Sequence, residues 1–415
     1  MTLTALGPRH CRTNAGSENH SFAPMSFLYR ATSPLRSSIV TFTTKSPLKQ
    51  ACPTLWVPLR LYSNTPSRSS SKMDTIKTTL AENLGGISHK LADKEDQFDI
   101  NKDVPNLSGK VALITGGSEG IGYATAYTLL KANLAKVFLV SMKEDVKDDA
   151  VEEIRQNLGS EYANRVTWLQ CDLSDLPAVA NVAKQVRDQT DRLDILCLNA
   201  ARGIMSFQLT DYGLDRHMAI NHFGHVTLAS HLLPLLKKTS ESQTVRVQVQ
   251  SSRSHADAPK DVKFESLDEL NTDLGANAQY ARSKLAVLLY ARYLDAHLHK
   301  EHPNILINAT HPGFVETKQS MQDIKEPFPN AGQIMPLAVR HIVKDIWMGC
   351  TSTVYAATTT TKSGEYVCPP AIAEPGTEQS QNAKLGEQLM KLTREIVKEK
   401  FGSQSVDKGC PLKDY

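Results

Sequence analysis

The sequence predicts one doubly wound α/β domain, a seven-stranded, mostly parallel sheet with helices on both faces. Three observations predict it. From residue 107 onward, short apolar or β-branched runs alternate with longer helical patterns, the signature of right-handed βαβ units. The first run leads straight into a glycine-rich turn and a helix start. The chain has 415 residues, 40% hydrophobic and 22% charged. It is therefore long enough to bury a large core and is ordinary for a globular protein, which excludes collagen-like, coiled-coil and wholly disordered chains.

Taken in order, residues 1–72 hold nine Lys/Arg, 12 serines and a single acid, Glu18, and so carry +8 where the whole chain carries +3. Such a segment buries too little apolar surface to offset its ordering entropy. Its Arg-rich, Ser-rich, acid-poor profile is that of a mitochondrial presequence. The alternative is an upstream-extended gene product whose start is Met73. The expected location is mitochondrial or cytoplasmic. Residues 73–106 read as a polar lead-in arm, 107–400 as the globular domain and 401–415 as a flexible end. No stretch of 18 apolar residues suggests a membrane-spanning helix, and a net charge of +3 gives no reason to expect nucleic acid. The seven cysteines show no Cys-x-x-Cys pair or zinc spacing, so a reducing compartment and no metal site are expected.

Strands are expected at Val111–Thr115, Val137–Ser141, Val166–Cys171, Ile195–Leu198, Val245–Gln250, Ile305–Ala309 and Glu365–Val367. Helical patterns fall at 120–132, 146–157, 176–188, 211–237, 280–299, 336–348 and 382–400.

In Thr115-Gly116-Gly117-Ser118-Glu119-Gly120-Ile121-Gly122, Gly116 allows the tight turn, Gly120 lets backbone approach a pyrophosphate, and Gly122 permits close helix–strand packing. The helix start then offers N–H groups and a positive dipole end to phosphates. Further on, Tyr280 and Lys284 stand four apart at the start of a helical pattern, so both can face one site. A tyrosine hydroxyl ordinarily titrates near 10, too high for a base at neutral pH. A neighbouring ammonium lowers that value. Ser251 and Ser252 end the fifth strand, where one hydroxyl can bond a substrate oxygen, although both could simply cap the strand end.

These motifs, in this order, resemble the short-chain dehydrogenase/reductase family over about residues 107–370, specifically its retinol-dehydrogenase-like, fungal-type members. The resemblance implies a Rossmann-type domain and an NAD(P)-dependent oxidoreductase that interconverts a carbonyl and an alcohol by hydride transfer, with Tyr280 as general acid/base. It takes Ser252 as the catalytic serine, with Ser251 the alternative. Asn221 is implied to bend its helix and hold a water in a relay to Lys284; otherwise it is a satisfied buried amide. His217, His222 and His225 nearby read as packing or surface residues. Cofactor contacts are implied for Gly116, Ser118, Glu119, Gly120, Ile121, Gly122, Lys143, Asn199, Ala200, Tyr280 and Lys284. Asp172 with Leu173 is implied at the adenine edge, or Asp172 caps the turn that follows. Pro312, Gly313, Val315 and Thr317 are implied around the nicotinamide. Ala201 departs from the family's usual Asn-Ala-Gly.

The second strand ends without an acid at its tip. NADP is therefore favoured, with Lys143 and Ser118 able to receive a 2′-phosphate. Glu119 and Met142, however, stand where NADP-dependent members often carry Arg, and NAD remains the alternative. The insert 253–279 reads as a solvated loop. The insert and the apolar residues after Thr317, Met321, Phe328, Ile334 and Met335, would select the substrate and suggest a lipophilic small molecule, although such residues also build ordinary cores. The resemblance further implies a homo-oligomer. The competing function is a non-catalytic NAD(P)-binding regulator or scaffold. An epimerase or dehydratase fits the glycine spacing poorly.

Overall fold

The structure, a computed structural model, describes residues 97–313, 315, 326–327 and 345–401. Strands β1 (Val111–Thr115), β2 (Lys136–Ser141), β3 (Val166–Gln170), β4 (Ile195–Leu198), β5 (Val245–Gln250), β6 (Ile305–Thr310), β7 (Tyr366–Cys368) and β8 (Ile372–Glu374) form one sheet in the order β3-β2-β1-β4-β5-β6-β7-β8. All neighbours are parallel except β7 and β8. The order reverses between β1 and β4. In such sheets this switch point opens a crevice at the carboxyl ends of the strands.

β1 shows why its sequence is a continuous apolar run. Val111 and Leu113 face one core and Ala112 and Ile114 the other, because alternate side chains leave a strand on opposite sides and both sides are covered. One layer of helices is Leu176–Gln189, His225–Ser240, Ala276–Leu298 and Ala383–Phe401. The other is built from Gly120–Lys131, Glu144–Leu158 and Thr351–Thr358. The amino ends of β1 and β4 are fastened by Asp194, whose carboxylate accepts from the Val111 amide at 2.9 Å and pairs with Arg192 and Lys110.

Four expectations need correction. The sheet has eight strands, not seven. The three-residue β8 follows Pro369-Pro370, a pair that reads as a break, and it is too short to show an alternation. The helix expected over 211–237 starts only at Arg216, after a turn with Gly213 at φ 68°. Asp215 caps it, accepting from the Met218 amide at 2.9 Å. It is interrupted by a π-helical turn, Ala219–Gly224, before resuming at His225. Of the helix expected at 336–348, residues 336–344 lie outside the described residues; the chain is helical at Ile346–Gly349 and again at Thr351–Thr358, where β-branched threonine and valine hide the helix from propensity. The insert 253–279 is folded rather than loosely solvated. The Glu269 carboxylate accepts from the amides of Lys263, Phe264 and Glu265 at 2.8, 3.0 and 2.7 Å, and Phe264 is fully buried.

The end of the lead-in arm packs rather than hangs. Phe98, Ile100 and Val104 lie against the cluster of Ala124, Cys350 and Val354, and the Phe98 ring meets Tyr355 edge-on at 5.3 Å. Among the described residues, no helix is long and apolar enough to cross a membrane.

Candidate active site

The glycine-rich turn sits at the switch point. Gly116 and Gly120 adopt φ of 64° and 58°, a region costly for any side chain. A Cβ on Gly122 would lie 2.1 Å from the Gly116 carbonyl oxygen and 2.6 Å from Asn199 Nδ2. The helix that follows has no side-chain cap and no acid in its first turn. Its leading N–H groups therefore have no side-chain acceptor, the condition for receiving an anion. These features fit a dinucleotide pyrophosphate. Gly122→Ala forces backbone apart, and a loss of about 3 kcal/mol is expected, read as a fall in Tm together with lost cofactor affinity. An unchanged Tm would contradict the close approach.

Asn199 closes the turn from β4. Its amide nitrogen Nδ2 donates to the Thr115 carbonyl at 2.9 Å, and the backbone amides of Asn199 and Ala200 donate to Thr115 Oγ1 at 2.9 and 3.0 Å. Asp172 Oδ1 accepts from the amide and the hydroxyl of Ser174, both at 2.8 Å, so this oxygen does cap the following turn. The Leu173 carbonyl packs under Gly224, where a Cβ would come within 2.3 Å of it.

At the tip of β2, Ser118 and Ser141 share a hydrogen bond of 2.8 Å, and Trp168 Nε1 donates to Ser141 Oγ at 2.8 Å. Lys143 and Met142 are exposed beside them.

Beyond β5 the two serines part. Ser251 is buried and donates to the Lys284 carbonyl at 3.0 Å. Ser252 is half-buried, and its oxygen accepts from the Ser254 amide at 3.2 Å. Its carbonyl accepts from His255 Nδ1 at 2.7 Å. Burial pushes His255 down to about 4, so this imidazole is neutral and holds Ser252 from behind.

Tyr280 and Lys284 lie on the helix Ala276–Leu298, with Lys284 Nζ 5.8 Å from the centre of the half-buried Tyr280 ring. Lys284 is 1% exposed and donates to the Gln250 carbonyl at 2.9 Å. Burial alone pushes its amine down to about 7. Asn221 sits within the π-helical turn. Its side chain accepts from the Arg202 amide at 2.9 Å, and donates to the Arg202 carbonyl at 3.1 Å and to Ser283 Oγ at 2.9 Å.

Pro312 and Gly313 follow β6, and Val315 packs against Gly349. Thr317 lies outside the described residues, as do Met321, Phe328, Ile334 and Met335. The other expected residues cluster where β1, β2, β3, β4, β5 and β6 end or on the helices beside those ends. Sequence reasoning passed over Gln250, Ser283, Arg202 and Thr115 as partners of the site. All four act through backbone or a hydroxyl, and their residue types carry no signal. Among the described residues, no group of three His, Cys, Asp or Glu could hold a metal.

A glycine-rich turn at the switch point of a doubly wound sheet, with Ser252, Tyr280, Lys284 and Asn221 on elements beside the same strand ends, is the arrangement of an oxidoreductase built on a dinucleotide-binding fold. The chain belongs to the short-chain dehydrogenase/reductase family. The short chain dehydrogenase family matches residues 110–260. The chain is 49% identical, over 86% of its length and 88% of the relative's, to a Neurospora crassa protein named oxidoreductase bli-4, mitochondrial. It is 31% identical to human retinol dehydrogenase 14, over 51% of this chain and 63% of that one. A crystal structure of an uncharacterized Mycobacterium paratuberculosis protein shares the fold at 24% identity and a TM-score of 0.56, covering 73% of this chain and 98% of its own.

Proposed function

We propose that this oxidoreductase reduces a carbonyl to an alcohol, or runs the reverse, with a nicotinamide dinucleotide held on the turn Gly116–Gly122. What supports the reading is that Lys284 Nζ lies 5.8 Å from the centre of the Tyr280 ring and donates to the carbonyl of Gln250, two residues before Ser252, while Asn221 donates to Ser283 beside Lys284. When bound, the cofactor supplies the hydride. The chain does the rest. Ser252 Oγ orients the substrate oxygen, Tyr280 gives it a proton in reduction and takes one in oxidation, and Lys284 holds the ribose and favours the phenolate. Asn221 orders a water toward Lys284. Holding both reactants on one rigid sheet edge makes the transfer effectively unimolecular.

NADP is the preferred cofactor, because the tip of β2 offers the Ser118–Ser141 hydroxyl pair and Lys143 and no carboxylate at Ser141. In Ser141→Asp, a carboxylate beside the 2′-position repels phosphate and accepts from a free ribose hydroxyl. The variant should weaken NADPH binding by about tenfold or more and tighten NADH. An unchanged NADPH:NADH ratio in a fluorescence titration would count against this placement.

The substrate is a lipophilic carbonyl or alcohol, and the long helices pair copies of the chain into an oligomer. We place the protein in mitochondria. The likeness to the Neurospora crassa protein is too long to lie wholly beyond Met73, so it reaches into the basic Ser/Arg-rich segment. The function is tested by titrating the full chain with NADPH and NADH, then following cofactor oxidation with a panel of lipophilic ketones and aldehydes. A folded protein that binds neither cofactor overturns the reading, and one that binds a cofactor yet turns over no carbonyl favours the non-catalytic scaffold.

A further inference from the structure

The π-helical turn Ala219–Gly224 sends two buried imidazoles in different directions, and their hydrogens can be assigned. His225 is 2% exposed. Its Nδ1 lies 3.1 Å from the Asn221 carbonyl and its Nε2 2.9 Å from Thr115 Oγ1. A carbonyl only accepts, so Nδ1 carries the hydrogen. Burial, reinforced by the charge of Lys284, pushes the ring down to about 3. The imidazole is therefore neutral and Nε2 accepts. The Thr115 hydroxyl donates to it at 2.9 Å in preference to the Cys197 carbonyl, 3.4 Å from the same oxygen. That hydroxyl in turn accepts from the amides of Asn199 and Ala200. The chain of donors runs one way, from β4 through the end of β1 and the imidazole to the Asn221 carbonyl.

His222 has the opposite arrangement. Thr393 Oγ1 spends its hydrogen on the Leu389 carbonyl at 2.8 Å. His222 must then donate to Thr393 from Nε2, also at 2.8 Å. Burial, with His225 beside it, pushes this ring too down to about 3. The charged or titratable groups bearing on His225 are thus Lys284 and His222, and neither favours an imidazolium.

We propose that His225 is a positioning residue of the reaction, tying the Asn221 carbonyl through Thr115 to the strand end that carries the glycine-rich turn. The inference rests on the function proposed above, and it explains why an imidazole stands there. A π-helical turn displaces the ladder around Asn221, and a carbonyl held only by its helix would be free to swing. Fixed to β1, it holds Asn221 in place, with its side chain on Ser283 next to Lys284, while the cofactor cradle, built on the same strand end, keeps its own place. A phenylalanine would fill the same volume without either bond.

The test has two arms on the full-length protein. The first reads the imidazole nitrogens by long-range proton–nitrogen NMR, with signals assigned by their loss in His225→Asn and His222→Gln. His225 should show the Nδ1–H tautomer and His222 the Nε2–H tautomer, both unchanged between about pH 5 and 9. Thr115→Val should perturb His225 alone. A His225 that carries its hydrogen on Nε2, or titrates near its ordinary value, overturns the proposal whatever the activity. The second arm is kinetic. His225→Phe should lower kcat about 30-fold, with KM and NADPH affinity held within about threefold. His225→Asn, whose amide can stand where Nδ1 stood, should recover most of kcat. Wild-type kcat in His225→Phe overturns the proposal. So does a joint loss of Tm, affinity and kcat with no recovery in His225→Asn, which marks a packing role. If Tyr280→Phe stays active, the proposed chemistry has failed instead, and the NMR arm still judges His225 by itself.

Discussion

Tyr280→Phe is expected to lower kcat for carbonyl reduction by about 10³-fold, in the range of a lost general acid, while NADPH affinity changes by no more than about twofold. The ring occupies the same space in both residues, so the helix Ala276–Leu298 is undisturbed. Packing there is carried by neighbours such as Ala281, Leu285 and Leu288, which are buried, whereas Tyr280 is half-buried, its ring centre 5.8 Å from Lys284 Nζ. The variant therefore removes a proton carrier and little else. The turn proposed to bind the dinucleotide is assembled from β1, β4 and the helix Gly120–Lys131, none of which includes Tyr280. Affinity and turnover should thus separate cleanly. Steady-state rates beside a fluorescence titration measure both. Retained turnover would transfer the proton to another group. Joint loss of binding and turnover would show that Tyr280 holds the cofactor rather than the substrate oxygen.

Much of this arrangement is legible in the residues alone, for physical reasons. Glycine is read easily where only its lack of Cβ will serve: Gly122 stands where any side chain would strike the Gly116 carbonyl. Tyr280 and Lys284 are legible because helix periodicity fixes their common face. β1 is legible because a strand covered on both sides must be apolar throughout. Other features leave no such trace. The π-helical turn at Ala219–Gly224 is set by bonds to distant groups, namely Asn221 to Arg202 and Ser283, His222 to Thr393 and His225 to Thr115. Sequence periodicity therefore ran straight through it. The folding of the insert is equally hidden, because it depends on Glu269 turning its carboxylate onto three amides and on buried Arg282 donating to the carbonyls of Glu269 and Leu270. Read singly, both are charged residues of a polar segment. Of the three histidines expected to pack or lie at the surface, all are buried, and His222 and His225 each also engage a named group, Thr393 and the Asn221 carbonyl.

The second large effect is expected at Lys284, where stability and activity should move in opposite directions. The amine is 1% exposed and donates to the Gln250 backbone carbonyl at 2.9 Å. Burial pushes it from 10.5 down to about 7. Between those two values the unfolded chain holds a proton that the native protein has shed, so stability rises with pH across that window and falls as pH drops through it. At about 1.4 kcal/mol per unit, the penalty grows to roughly 5 kcal/mol below pH 7 and vanishes above about pH 10.5. Lys284→Met keeps the stem and removes the buried amine. It gives up one hydrogen bond, about 1 kcal/mol. The cofactor-free variant should therefore be more stable than the wild type by roughly 3 kcal/mol near pH 7, with the gain shrinking as pH rises. Its turnover should fall at least about 100-fold, because Tyr280 then lacks the charge that favours its phenolate. Denaturant unfolding at several pH values measures the first effect and steady-state kinetics the second. A variant no more stable at pH 7 than the wild type would mean that the amine is solvated or paired in the folded protein, and that it does not stand dry behind Tyr280. Stabilisation with lost turnover is the pattern of a site whose buried amine is kept in place for chemistry, at a cost the rest of the fold must carry.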